Sequence, residues 1–151
     1  MKPSAVPKEN RRQARIQAVQ QIYAREMRGV LAPVAEENEP VWPVEGEASP
    51  FADELVAQAL GRLAEIDRLL TAALQNWDLR RLGAVDRAIL RLAVAEMLVH
   101  PDIPAAVTIN EAIEIAKKFG GDESGRFVNG ILDRIRGELS RPARQAVPPA
   151  S

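Results

Sequence analysis

The chain of 151 residues contains no cysteine. That absence removes disulfides, thiolate zinc sites, iron–sulfur clusters and cysteine nucleophiles together. Histidine is almost as scarce: His100 stands alone, just before Pro101. A histidine-rich metal site or a Ser-His-Asp triad cannot be assembled around a single imidazole without exceptional convergence. Aromatic residues make up only 4% of the chain, so the core must be built from aliphatic side chains. No uncharged apolar run approaches the roughly 18 residues that a membrane span needs. Residues 1–20 lack the apolar stretch of a secretory signal, which reads as a cytoplasmic protein. The phosphate-loop pattern G-x-x-x-x-G-K-[ST] is missing, as is a G-x-G-x-x-G turn after a strand, so no cofactor is expected.

What the chain does have is segregated charge. The formal net charge of −1 hides a basic arm and an acidic linker. Residues 1–29 carry Lys2, Lys8, Arg11, Arg12, Arg15, Arg25 and Arg28 against Glu9 and Glu26, a net of +5. Residues 30–50 carry Glu36, Glu37, Glu39, Glu45 and Glu47 with no base, a net of −5. The remainder is nearly balanced.

Proline marks the boundaries, because each one removes a helix hydrogen bond and disfavours helix in its predecessor. Ala14, Ala18, Val19, Ile22 and Tyr23 recur at helical spacing, with Gly29 as a stop. Residues 30–50, rich in proline and glutamate, read as a loop. Ser49-Pro50 restarts helix as cap and first residue. The apolar stripe from Leu55 to Leu74 spans two helices with a break near Ala64. Leu82, Val85, Ile89, Leu92 and Ala93 extend the period to Pro101. Thr108-x-x-Glu111 has capping-box spacing and should open a helix that Gly120-Gly121 closes. A last helix over about residues 123–139 buries Phe127, Val128, Ile131, Leu132, Ile135 and Leu139. Gly130 within it costs about 1 kcal/mol relative to alanine, which implies that a neighbour presses on that face. The tail 142–151 reads as disordered. No alternating segment of useful length appears, so the fold class is all-α: a compact bundle of six or seven helices in a single domain over residues 1–141.

Arg11, Arg12 and Arg15 crowd the positive end of the first helix, where cations oppose the macrodipole. Their spacing of three and four lets all three project from one side, and guanidinium groups bind phosphates bidentately and stack on unpaired bases. Single-stranded RNA is therefore preferred over duplex DNA, with a merely solvated basic face as the other reading. The enzymatic alternative rests on carboxylates such as Asp78, Asp86, Glu96, Glu111 and Glu114. Glu96 falls on the apolar stripe, where a buried carboxylate satisfied by an arginine or a helix terminus is the simpler account. The segment 119–133 adds Asp122, Glu123, Ser124 and Arg126 at a helix start, with Phe119 as a stacking platform.

Arg11-Arg12-x-Ala14-Arg15 with Ala18-Val19-Gln20-x-x-Tyr23 resembles the opening of the NusB transcription antitermination family. Trp77-x-Leu79-x-Arg81-Leu82, Val85-Asp86-Arg87-Ala88-Ile89-Leu90-Arg91-Leu92-Ala93 with Glu96, Ile109-Asn110-Glu111-Ala112-Ile113-Glu114-Ile115-Ala116-Lys117 and Phe127-Val128-Asn129-Gly130-Ile131-Leu132-Asp133 follow in that family's order. The resemblance covers roughly 8–29 and 55–135. It implies an all-α fold of two small helical subdomains and no catalysis. It also implies a partnership with the ribosomal protein that acts as Nus factor E, and binding of the boxA element of nascent ribosomal RNA within the transcription elongation complex. Carried over by position, RNA contacts fall on Arg11, Arg12, Arg15, Lys117, Phe119, Glu123, Arg126 and Phe127, and protein contacts on Tyr23 and Asp86. Gln13 stands where many members have another arginine. The alternative is a non-enzymatic helical adaptor without specific RNA binding; monomer and homodimer both remain open.

Overall fold

The computed structural model describes residues 8–32, 46, 47 and 49–140. Most of the 30–50 linker and the whole 142–151 tail lie outside the described residues. The helices run α1 (Lys8–Met27), α2 (Pro50–Gly61), α3 (Leu63–Leu74), a 3-10 turn (Leu79–Arg81), α4 (Ala84–Val99) and α5 (Ala105–Leu139), with no strand among the described residues. The all-α class holds, with five α-helices among the described residues rather than the six or seven expected. The smaller number partly reflects α5, which is two helices run together.

Each boundary has a local cause. Ser49 caps α2 by accepting from the Ala52 backbone N–H at 3.1 Å, with Pro50 at the first position. The break in the long apolar stripe falls at Arg62, two residues before the expected Ala64. At the end of α1 the backbone N–H groups of Gly29 and Val30 donate to Glu26 and Arg25 carbonyls at 3.0 and 2.8 Å. Gly29 takes φ +71 to make that turn.

α4 is the axle. Residues 87–96 on it are all buried, and α1, α2, α3 and α5 all pack against it. Alanines at 14, 18, 52, 59, 88, 93, 95, 112 and 116 are buried at the helix contacts, where their small size lets axes approach closely. Polar atoms thread this core too. Glu26 of α1 accepts from Arg87 Nε at 2.7 Å, and Arg91 pairs with both Asp67 oxygens at 2.9 and 3.1 Å, joining α1, α3 and α4. Removing either acid would leave a largely buried guanidinium without its carboxylate.

Three expectations fail in α5. The helix opens at Ala105 behind Pro104, not at Thr108. Proline fixes φ and starts the helix one turn early, which leaves Thr108 and Glu111 inside it with side chains free for tertiary partners. Nothing presses on Gly130 either: no atom lies within 4 Å of where its Cβ would stand. Phe127 and Leu139 are only partly buried, packed against the core rather than within it. Gly121, by contrast, breaks the helix at φ +83, ψ −175, a region essentially confined to glycine. Gly121→Ala should therefore lower stability by about 1–3 kcal/mol, whereas Gly130→Ala should raise it by about 0.5–1 kcal/mol through helix propensity. Urea midpoints of the two variants check the opposite signs; a loss at Gly130 would contradict its open surroundings.

Candidate nucleic-acid interface

The three arginines of α1 do not form a common comb. Arg15 turns inward and is only 8% exposed. Its Nε and Nη2 donate to the two oxygens of Glu96 at 2.9 and 2.6 Å, and the Thr108 hydroxyl donates to Glu96 Oε2 at 2.7 Å. Glu96 is thus the buried carboxylate satisfied by an arginine, held where α1, α4 and α5 meet. Arg12 lies outward with 54% of its side chain exposed, but it too is engaged: Nε and Nη2 donate to Glu111 at 2.7 and 3.0 Å. That hydrogen bond, more than the charge itself, holds the Glu111 carboxyl below its usual range and the Arg12 guanidinium above its own. Arg11 lays its guanidinium 4.1 Å from the Phe51 ring centre, a cation–π contact with α2.

Sequence spacing could not separate these fates, because all three depend on residues at least 36 positions away. The signal that was available lay in Thr108-x-x-Glu111, whose side chains cap no helix and instead serve Arg15, through Glu96, and Arg12.

The second group gathers around the Gly121 break in α5. Lys117 and Lys118 end the first half, with Phe119 beside them, 46% exposed and 5.9 Å from the Lys118 Nζ. Gly125 is buried beneath Lys117, whose Cγ lies 2.6 Å from where a Cβ at 125 would stand. The glycine thus allows the lysine stem to cross between the two halves of α5. Glu123 and Arg126 are exposed on the second half. Phe127 is half-buried, and the Trp77 ring meets it edge-on at 6.4 Å.

Tyr23 and Asp86 lie on α1 and α4, two helices joined by an ion pair close to both residues in sequence. Glu26, one turn beyond Tyr23 on α1, accepts from Arg87, the neighbour of Asp86 on α4. Tyr23 is exposed; Asp86 is half-buried, and the Ser124 hydroxyl donates to its Oδ2 at 3.4 Å. Burial pushes the Asp86 carboxyl above its ordinary range, against the weaker pull of that hydrogen bond. Ser124 therefore joins the acidic spot on α4 to the basic and aromatic cluster around Gly121.

No group of three or more metal-ligating side chains occurs among the described residues. Nor, among them, is any helix long and apolar enough to cross a membrane.

The model describing the NusB family matches residues 12–136. The transcription antitermination protein NusB of Geobacter sulfurreducens is 46% identical over 136 residues, 85% of this chain and 95% of that protein. Its counterpart in Geobacter sp. strain M21 is 42% identical over 134 residues, 83% of this chain and 92% of the other. Among solved structures, T. maritima NusB superimposes with a TM-score of 0.68 at 35% identity, covering 95% of this chain and all of that one. A complex described as antitermination factors NusB and NusE with dsRNA matches with a TM-score of 0.69 at 27% identity, over 87% of this chain and 99% of that chain.

Proposed function

The chain belongs to the NusB family, and from that premise we propose that it is a transcription antitermination factor that binds boxA-type RNA of nascent ribosomal RNA transcripts jointly with the ribosomal protein acting as Nus factor E. It works in the cytoplasm on the transcription elongation complex and catalyses no reaction. The observation that carries this reading is the junction at Gly121. Lys117, Phe119 and Arg126 flank the break, and Ser124, just after it, bonds to Asp86 on α4. One side suits a phosphate backbone with unpaired bases, the other a cationic protein surface, so RNA and partner would meet along one edge. Exposed Phe119 favours unpaired nucleotides, since bases inside a duplex offer no free face for stacking.

The α1 arginines divide the work. Arg11 and Arg12 are placed to reach phosphates, whereas Arg15 acts as a positioning residue, holding α1 to α4 and α5 through Glu96. Glu123 and Phe127 complete the α5 surface, Glu123 as a polar contact and Phe127 as a partly covered ring. Tyr23 and Asp86 form the protein-docking face.

Arg12 carries a built-in competitor. A carboxylate that takes Nε and Nη2 holds one bidentate edge of the guanidinium that a phosphate would use, so Glu111 competes with RNA for Arg12. Glu111→Gln should tighten RNA binding and steepen its salt dependence by about 0.7 in the log–log slope, one neutralised phosphate on a single strand. Arg12→Ala should flatten the slope, and Glu114→Gln, which removes a nearby charge without freeing Arg12, should change it little. Fluorescence anisotropy across a salt series checks all three. Identical slopes in Glu111→Gln and Arg12→Ala would remove Arg12 from the RNA path. The engagement of Arg12 and Arg15 also favours a second reading, a protein adaptor whose arginines are structural; it predicts partner capture with no RNA response in any of these variants.

A further inference from the structure

Trp77 has no role in the core or in the surfaces assigned above. At 61% exposure it is the most open of the large hydrophobic side chains among the described residues. Its backbone is nevertheless fixed, because its N–H donates to the Leu74 carbonyl at 3.1 Å at the end of α3. Two residues earlier, Gln75 takes φ +57 and ψ −89, a conformation unfavourable for a residue with a Cβ, as the chain leaves α3. One edge of the indole rests against Phe127 with ring planes at 74°, and most of the ring remains open. Asp78 then accepts from the Arg80 backbone N–H at 3.0 Å and orients the 3-10 turn. Arg80 is left with a side chain 91% exposed, held to Asp78 only loosely at 3.3 Å. Arg81 is exposed and joins no ion pair among the described residues. A fixed, open indole followed within four residues by two solvent-facing guanidinium groups is not what packing requires.

We propose that Trp77, with Arg80 and Arg81, forms a second stacking site for an unpaired base of single-stranded RNA, extending the RNA path beyond Phe127. The inference rests on the RNA-binding reading above. Indole faces stack on any base, and guanidinium groups a few residues along the same loop suit the adjoining phosphates. Charge decides between RNA and protein as the occupant. The protein-docking face around Asp86 offers a carboxylate, whereas this loop presents two cations next to an aromatic ring that already belongs to the RNA surface.

The test uses the full chain carrying Trp42→Phe, so that Trp77 is the only tryptophan, with a boxA-type single-stranded RNA. RNA should quench the Trp77 emission in step with binding measured by anisotropy. Replacing the bases one at a time with abasic nucleotides should abolish the quench at one position. Trp77→Ala should weaken binding by about 5- to 150-fold while melting like the parent, because the side chain is mostly in water. Trp77→Phe should recover part of the loss, and Arg81→Ala should flatten the salt slope by about 0.7. Parent RNA binding with unquenched emission, and undiminished affinity in Trp77→Ala, overturn the site and leave the RNA reading intact. A quench produced by the ribosomal protein alone assigns the loop to protein docking and overturns the proposal. Failure of the parent chain to bind RNA at all overturns both.

Discussion

Arg15→Ala is expected to destabilise the fold by about 3–5 kcal/mol, the usual cost of stranding one member of a buried ion pair. Glu96 is 1% exposed, and with Arg15 gone its only remaining donor in the cluster is the Thr108 hydroxyl. Glu96 exposes almost nothing to solvent, so the protein must either keep a poorly compensated charge in its core or open the contact between α1, α4 and α5. A loss of that size should lower the melting midpoint by on the order of 10 °C in a domain of this length. The triple change Arg15→Met, Glu96→Leu, Thr108→Val replaces the whole cluster with apolar groups and should recover most of the stability, because desolvating the ions offsets much of their attraction. RNA binding should follow the fold: reduced in Arg15→Ala and largely restored in the triple variant. A stable Arg15→Ala protein that no longer binds RNA would instead make Arg15 a direct contact that swings outward.

Asp86→Asn should separate folding from docking. Burial is what raises the Asp86 carboxyl, so its charged form is carried at a cost to the fold. A carboxylate with a raised folded-state pKa contributes stability that is full below its unfolded pKa and lost as pH rises through the folded value. At neutral pH the substitution should therefore leave stability unchanged or slightly improved, and its advantage should shrink as pH falls into the carboxylate range. Capture of the ribosomal protein should move the other way. If a cation of the partner pairs with Asp86 in a closed interface, losing the charge should weaken binding by about 30-fold or more. Partner affinity of the unmodified chain should also strengthen as pH rises through the Asp86 titration. Calorimetric melting and partner titration on the same preparation read both effects, and a variant that loses stability along with partner binding would mark Asp86 as a packing residue.

Much of this molecule was legible before any coordinates. Apolar spacing placed α1, α2, α3 and α4 within a few residues, because each has a stripe facing one neighbour and a cap or stop at its ends. The Gly120-Gly121 pair marks in sequence the break that α5 makes at Gly121. What failed were inferences from local pattern to tertiary contact. Thr108-x-x-Glu111 satisfies the spacing of a capping box, yet Pro104 starts the helix earlier and frees both side chains for Glu96 and Arg12. Gly130 looked like a close approach and faces open space. The arginines looked equivalent because spacing fixes only the side of a helix from which a side chain leaves, whereas the partner it finds depends on what the fold brings there. Glu111 and Trp77, which matter for the proposed interface, stand within recognisable sequence motifs, but neither motif says which side chain each one meets. Their significance comes from Arg12 and Phe127, both distant in sequence.

The most direct test of the RNA-binding role is titration of the intact chain with boxA-type single-stranded RNA and with a scrambled RNA of the same composition, each with and without the ribosomal protein, across a salt series. The account predicts preference for the boxA sequence, strengthened by the partner and lost when Arg11 and Arg12 are both changed to alanine. Equal, weak binding to both RNAs in the presence of a properly folded partner would contradict it, leaving a helical adaptor with a basic patch.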